Sequence, residues 1–184
     1  MTEFDPARLQ DGLLMAVENV HEKLRVAREK QPVMVGNPIM ETPAQNVDMA
    51  GVTALGRAGA TAAVLLPAST LFIGASPAPA GELIEAGAAV ALASDFNPGT
   101  SPCLSMPEVI ATAASLYGLT PGQSLTAGTL NAAWVLGLEE KHGSLEAGKR
   151  ADFLVLDADD PAMIPYRPGH NPVAEVWLAG ERVA

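Results

Sequence analysis

One carboxylate in this sequence stands where it would be unstable without a partner. Asp95 follows an apolar run at residues 88–93, with only Ser94 between them. A carboxylate at the end of a buried strand is poorly solvated unless a cation or a hydrogen-bond donor meets it. In (β/α) barrels, the carboxyl ends of the strands are also where active-site residues gather. Asp95 is therefore a candidate catalytic residue, and the alternative is that it caps the loop after the strand.

The turn after Asp95 offers three kinds of hydrogen-bond donor. Asn97 carries an amide, Gly99 exposes its backbone N–H, and Thr100 carries a hydroxyl. Prolines at positions 98 and 102 restrict the backbone around them. Such a turn can direct its donors toward one anionic group, which makes these residues candidates for binding a carboxylate. Ordinary Asn-Pro-Gly turn chemistry is the alternative.

The elements that must position these residues alternate in type along the middle of the chain. Residues 62–66 and 88–93 are apolar throughout, as expected for parallel strands that are covered on both faces. A short helix is predicted between them at residues 80–85, after a loop rich in Gly and Pro. Strand, helix and strand at this spacing predict a βαβ unit, and hence an α/β fold class.

Other segments complete the predicted architecture. Helices are expected at residues 6–30, 52–58, 106–117 and 122–136, the last with Thr120 as its N-cap and Pro121 before it. A short strand is expected at residues 32–35 and a loop at residues 36–46. Strands at residues 153–156 and 173–178, with a tight turn at residues 179–181, predict a small separate sheet. The predicted segments are therefore a helical N-terminal part of unrecognised origin (1–45), an α/β part (46–140) and a small β part (141–184).

Composition and charge exclude several classes of function. The 11 Lys and Arg residues are outnumbered by 21 Asp and Glu residues, which gives a formal net charge of −10. Binding to nucleic acid or to an anionic membrane relies on basic residues, so neither is expected as a partner. Cys103 is the single cysteine and allows no internal disulfide. Because no signal peptide or transmembrane run is recognised, a cytoplasmic location is expected.

Residues 94–102 carry a resemblance to a known enzyme family. Their sequence, Ser-Asp-Phe-Asn-Pro-Gly-Thr-Ser-Pro, is very similar to the signature of imidazolonepropionase, a metal-dependent amidohydrolase of histidine degradation. Residues 63–67, 129–138 and 143–153 also resemble that family, the last in a pattern that many amidohydrolases share. The chain thus resembles the C-terminal part of such an enzyme. This implies the last strands and helices of a partial (β/α) barrel at 46–140, and the remnant of a composite β-sandwich at 141–184.

The resemblance also implies roles for individual residues. Asp95 matches the aspartate that contacts a single divalent metal, zinc or iron, and accepts a proton from the metal-bound water. Asn97, Gly99 and Thr100 match positions that hold the propionate carboxylate of the substrate. The implied reaction is hydrolysis of the cyclic amide C–N bond of 4-imidazolone-5-propanoate, which yields N-formimidoyl-L-glutamate.

The histidines that hold the metal in this superfamily have no counterpart here. The superfamily uses a His-x-His pair and further histidines, whereas this sequence has three isolated histidines, His21, His142 and His170. His21 is interpreted as a solvated helix residue, and the other two as structural residues. Asp48 stands near the position of an Asp-His pair in the family, but one carboxylate does not replace the three protein ligands of a catalytic zinc site. We therefore expect the chain alone to bind metal poorly and to be impaired or inactive.

Three functional hypotheses follow from the sequence. The first is a truncated imidazolonepropionase-type hydrolase, which needs a complementing N-terminal half. The second is a non-catalytic binding or assembly module, in which the turn at residues 97–100 binds a small carboxylate and exposed strand edges form a homo-oligomer. The third is another amidohydrolase that acts on a cyclic amide or amidine, such as a deaminase-like hydrolase, and the Asn-Pro-Gly-Thr turn argues against it.

Overall fold

The computed structural model describes residues 33–35, 48–57 and 61–184, and for residues 33–35 it describes the backbone only. The predicted helix at residues 6–30 and the predicted loop at residues 36–46 lie outside the described residues. The same holds for His21. The predicted segment boundaries at residues 45 and 140 stay predictions.

A parallel sheet forms the centre of the described structure. Its strands are β1 (Val33–Val35), β2 (Ala62–Leu65) and β3 (Ala89–Leu92), in the order β1-β2-β3. In the register of the two longer strands, Val64 lies beside Ala91. Every residue of β2 is buried, as expected for a strand covered on both faces. The predicted βαβ unit and the α/β class are confirmed.

Seven helices surround the sheet or follow it within the described residues. They are α1 (Met49–Arg57), α2 (Pro67–Phe72), α3 (Ala80–Glu85), α4 (Met106–Tyr117), α5 (Pro121–Gly128), α6 (Leu130–Val135) and α7 (Met163–Tyr166). The predicted bounds of α3 and α4 are confirmed. Ser105 caps α4, where its side chain accepts a hydrogen bond from the backbone N–H of Glu108. In this described part of the chain, no helix is long and apolar enough to cross a membrane.

Two helix predictions are wrong. A loop was predicted after Pro67, but Pro67 begins helix α2. Proline suits the first position of a helix, because the N–H that it lacks would have no partner within the helix there. The predicted helix at residues 122–136 is two helices, because Thr129 leaves the helical conformation at φ −124° and ψ −87°. The predicted cap at Thr120 is confirmed, and Gln123 completes a capping box.

An apolar core joins the sheet to the helices on one side. Its buried members come mainly from β2, β3 and five of the helices, and include Val52, Leu65, Leu83, Val90, Val109 and Ile164. Helix α1 approaches α3 so closely that a Cβ atom at Gly56 would lie 2.0 Å from the carbonyl oxygen of Ala86. Only glycine fits this position without movement of the backbone.

Strand β3, at one edge of the described sheet, is contacted by a side chain from α6. The Nδ2 amide of Asn131 donates a hydrogen bond of 2.8 Å to the backbone carbonyl of Val90. The Asn131 amide thereby satisfies the Val90 carbonyl.

A second, antiparallel sheet follows near the C-terminus. It consists of β4 (Phe153–Leu156), β5 (Val173–Leu178) and β6 (Glu181–Arg182), in that order. The rings of Phe153 and Trp177, which lie opposite each other, stack with centroids 5.5 Å apart. The two predicted strands and the turn after them are confirmed.

Candidate functional site

Asp95 lies at the carboxyl end of the parallel sheet. The backbone N–H of Ala93 donates to the carbonyl of Leu65, so the ladder between β2 and β3 continues until just before Asp95. Asp95 itself has φ +50°. This left-handed conformation is uncommon for residues other than glycine and is found more often at functional sites than elsewhere. The backbone therefore turns sharply at the predicted catalytic position.

A buried hydroxyl holds the Asp95 carboxylate. The Oγ atom of Ser69, in the first turn of α2, donates to Asp95 Oδ2 over 2.7 Å. Ser69 has no exposed surface. A hydrogen bond from a hydroxyl to a carboxylate oxygen at this distance is a charge-assisted contact. The sequence does not predict Ser69 as a site residue, because the residues around it read as a loop rich in Gly and Pro.

Asn97 also bonds to Asp95. Its Nδ2 amide donates to the backbone carbonyl of Asp95 over 2.7 Å, and lies 3.5 Å from Asp95 Oδ2. The structure thus brings Asp95 and Asn97 together, with the amide of one against the backbone and carboxylate of the other.

The other predicted donors are bound within the turn itself. Asn97 Oδ1 accepts hydrogen bonds from the backbone N–H groups of Gly99 (2.9 Å) and Thr100 (2.7 Å). It also accepts from the Thr100 hydroxyl over 3.2 Å. One amide oxygen therefore occupies the position at which these three donors converge, which is the position that a carboxylate oxygen of a ligand would require.

The turn is closed by a buried serine. Asn97 and Ser101 exchange backbone hydrogen bonds, and the fully buried Ser101 side chain donates to the carbonyl of Ser94 over 2.6 Å. These contacts fix both ends of the turn to the strand end. Asp95 and Asn97 are partly exposed, and Gly99 is exposed.

The contact between α2 and α4 steadies the helix that carries Ser69. The hydroxyl of the buried Thr70 donates to the carbonyl of Leu66 over 2.9 Å and lies 3.1 Å from the hydroxyl of Tyr117. Burial raises the pKa of Tyr117, and the hydrogen bond with Thr70 lowers it by less. Tyr117 therefore stays neutral at physiological pH and acts as a structural contact.

Three clefts of about 470, 270 and 280 Å³ lie elsewhere on the described surface. The first lies between α4 and α7, and the third is lined by acidic residues of the segment before α7 together with His170. None of the three is lined by Asp95 or by the turn at residues 97–100.

The described residues do not fit a divalent metal. Among residues 48–57 and 61–184, no three His, Cys, Asp or Glu side chains come together as a ligand group. His142 pairs through Nδ1 with Asp152 at 3.2 Å, and the exposed His170 lies beside the third cleft. Asp48 instead accepts a hydrogen bond from the backbone of Gly51 at the start of α1. Within these residues, no histidine joins Asp95 in a group of metal ligands.

Comparison with known proteins shows extended sequence similarity. A family model described as "Amidohydrolase family" matches residues 6–183. The imidazolonepropionase of Rubrobacter xylanophilus is 55% identical over 130 residues, which cover 71% of this chain and 31% of that protein. The imidazolonepropionase of Solibacter usitatus is 37% identical over 187 residues, covering 97% of this chain and 44% of that protein. The chain therefore spans less than half the length of either relative.

Solved structures show a similar fold. An adenosine deaminase from Xanthomonas campestris with bound zinc aligns with a TM-score of 0.71 and 25% identity, over 82% of this chain and 36% of that chain. A guanine deaminase from E. coli aligns with a TM-score of 0.64 and 17% identity, over 83% of this chain and 38% of that chain. In both cases, a part of the larger chain corresponds to most of this one.

Proposed function

The chain belongs to the amidohydrolase family, and we propose that it supplies the C-terminal part of an imidazolonepropionase-type active site. The proposed reaction is hydrolysis of the cyclic amide C–N bond of 4-imidazolone-5-propanoate. The observation that carries the proposal is the Asp95 carboxylate at the end of β3, held by Ser69 and followed by the turn at residues 97–100. The 55% identity to an imidazolonepropionase over this region supports the choice of substrate.

The parallel sheet is proposed to be the last part of a (β/α) barrel. Its strands are parallel and in sequence order, as consecutive barrel strands are. The alignment with 36% of the zinc-bound deaminase supports the same interpretation. In this arrangement, Asp95 lies at the carboxyl face, where barrel enzymes place their catalytic groups.

Asp95 is proposed to be the general base and acid of the reaction. It would take a proton from the water that attacks the ring carbonyl, and return it to the ring nitrogen as the C–N bond breaks. The residues described here do not gather the ligands of a metal site. We therefore propose that the zinc or iron of the intact family is held by side chains from the part of the relatives that this chain does not match.

The turn at residues 97–100 is proposed to bind the propionate carboxylate. Three donors already converge on Asn97 Oδ1, so an incoming carboxylate oxygen would replace that amide oxygen. The exchange keeps the three donors bonded and replaces a neutral acceptor with an ionised one, which forms stronger hydrogen bonds.

The proposed partners are a small substrate that carries a carboxylate, and a complementing N-terminal half or a second copy of the chain. Nucleic acid and anionic membranes are not proposed as partners, because the net charge of −10 disfavours binding to anionic surfaces. A cytoplasmic location is proposed as well, since the chain resembles enzymes of amino-acid breakdown.

Reconstitution tests the proposal. The full chain is mixed with the portion of the Rubrobacter xylanophilus protein that lies outside the 130 matched residues, and Zn²⁺ or Fe²⁺ is added. We expect loss of the imidazolone absorbance and formation of N-formimidoyl-L-glutamate in the mixture, and neither with the chain alone. The reason is that Asp95 and the metal ligands then come from different chains.

Two controls define the outcome of this experiment. The Rubrobacter portion alone should be inactive, and the intact Rubrobacter protein should be active under the same conditions. A complex that forms and binds metal but does not turn over the substrate would show that the chain is a non-catalytic module. Turnover by the purified chain alone would contradict the proposed division of the site.

Thr100→Val tests carboxylate binding by the turn. Valine has nearly the same shape as threonine but no hydroxyl, and a hydrogen bond to a charged group contributes about 1.5–3 kcal/mol. We expect KM of the reconstituted enzyme to rise about 10-fold or more, with kcat little changed. Thr126→Val, at an exposed position in α5, is the matched control and should leave KM unchanged. An unchanged KM in Thr100→Val would remove that hydroxyl from the binding site.

A further inference from the structure

Ser69 and Asp95 are joined by a hydrogen bond to which the proposed function gives no role in the reaction. The two residues are 26 positions apart in the sequence, and they meet because β2 and β3 are parallel neighbours whose carboxyl ends lie side by side. Ser69 lies in the first turn of α2, which begins shortly after β2 ends, and Asp95 lies shortly after the end of β3. The register of the sheet therefore sets the distance between them.

The hydrogen bonds to the Asp95 carboxylate are unequally distributed. Oδ2 accepts the Ser69 hydroxyl at 2.7 Å and lies 3.5 Å from the Asn97 amide. No other side chain within residues 48–57 and 61–184 bonds to this carboxylate, and none bonds to Oδ1. Among the described residues, only Oδ2 is therefore held by a side chain.

Ser69 is suited to this task because it cannot turn to solvent. Its side chain has no exposed surface, and a buried hydroxyl keeps a hydrogen bond because losing it leaves a polar group unsatisfied. The short side chain has few rotamers, and its helix is steadied by the contact of Thr70 with Tyr117. Asp95, by contrast, is partly exposed and sits on a left-handed backbone.

From these contacts we infer that Ser69 is a positioning residue, which fixes the rotamer of Asp95 so that Oδ1 is the oxygen that accepts the proton. The inference rests on the proposed role of Asp95 in hydrolysis. Ser69 itself touches no reacting atom. Its effect is to hold the proton acceptor in one geometry, since small misplacements of a catalytic group lower the rate strongly.

The test measures the Asp95 rotamer in the full chain by NMR, without any turnover. Three-bond couplings between Hα and the two Hβ protons of Asp95 should have the values of a single rotamer in the unaltered chain. In Ser69→Ala they should move to the averaged values of a rotating side chain. Ser124→Ala is the matched control, because Ser124 is equally buried and donates to the carbonyl of Pro121 over 3.0 Å, away from Asp95.

A kinetic measurement complements the couplings. In the reconstituted enzyme, Ser69→Ala should lower kcat by about 10- to 100-fold and leave KM within about 2-fold of its original value, whereas Ser124→Ala should change neither. If Ser69→Ala reduces the yield of folded chain, Ser69→Cys replaces it, because the thiol is similar in size but a weaker donor.

The outcomes separate this inference from the proposed function. Single-rotamer couplings for Asp95 in a folded Ser69→Ala or Ser69→Cys chain overturn the positioning role, whatever the activity. Averaged couplings in Ser69→Ala with fixed couplings in Ser124→Ala support it. An inactive reconstituted enzyme with unaltered Ser69 counts against the proposed function alone, because the couplings still report on the contact.

Discussion

Asp95→Asn is expected to lower kcat of the reconstituted enzyme by about 10²- to 10⁴-fold, the usual contribution of a general acid or base. Asparagine has the same shape as aspartate and can still accept the Ser69 hydrogen bond through its amide oxygen. It cannot take a proton from water at neutral pH. The loss should therefore appear in kcat, while KM and the stability of the chain change little.

The matched control for this substitution is Asp159→Asn, at an exposed position before α7. It removes the same charge without touching the strand end, and kcat should stay within about 2-fold of the original value. Steady-state kinetics of the three reconstituted enzymes checks the expectation. If Asp95→Asn retained full kcat, the carboxylate would have no role in proton transfer.

Leu65→Ala is expected to reduce the free energy of unfolding by about 3–5 kcal/mol. Leu65 is 1% exposed and belongs to the main apolar core, where β2 is covered by helices. Truncation removes the transfer free energy of the side chain and leaves a cavity in a strand whose main-chain hydrogen bonds prevent collapse. Urea unfolding followed by circular dichroism measures the change.

Leu71→Ala is the control for the core substitution. Leu71 lies in α2 and is 62% exposed, so its truncation should change the unfolding free energy by no more than about 0.5 kcal/mol. Equal losses in the two variants would mean that Leu71 is covered in solution, for example by a second copy of the chain. That result would contradict the exposure of Leu71 in the isolated chain.

The regular elements of this fold were largely predictable because they depend on local patterns. The apolar runs at β2 and β3 and the helix at Met106–Tyr117 follow from residue type and spacing alone. Helix α2 was missed because Pro67 reads equally as the end of a strand and as the first residue of a helix. The break at Thr129 was missed because no proline marks it; its hydroxyl bonds to the carbonyl of Leu125, inside the preceding helix.

The location of Asp95 at the strand end was predictable from the sequence, but the contacts around it were only partly so. Asp95 was recognised from its place after an apolar run, which is a property of neighbouring residues. Ser69 was not, because its contact with Asp95 depends on the pairing of two strands that are distant in sequence. The donors of Gly99 and Thr100 were expected to face a ligand, yet they converge on Asn97. The hydrogen bonds within this turn depend on its backbone conformation, which residue types alone do not reveal.

The amide of Asn131 on the Val90 carbonyl has a consequence for self-association. An uncovered outer strand is a template on which identical chains can stack into fibrils. The side-chain bond to Val90 interrupts such pairing, since the carbonyl that an added strand would use already accepts a hydrogen bond. Because this partner is a side chain, rotation of Asn131 would free the Val90 carbonyl for pairing with a strand of another chain.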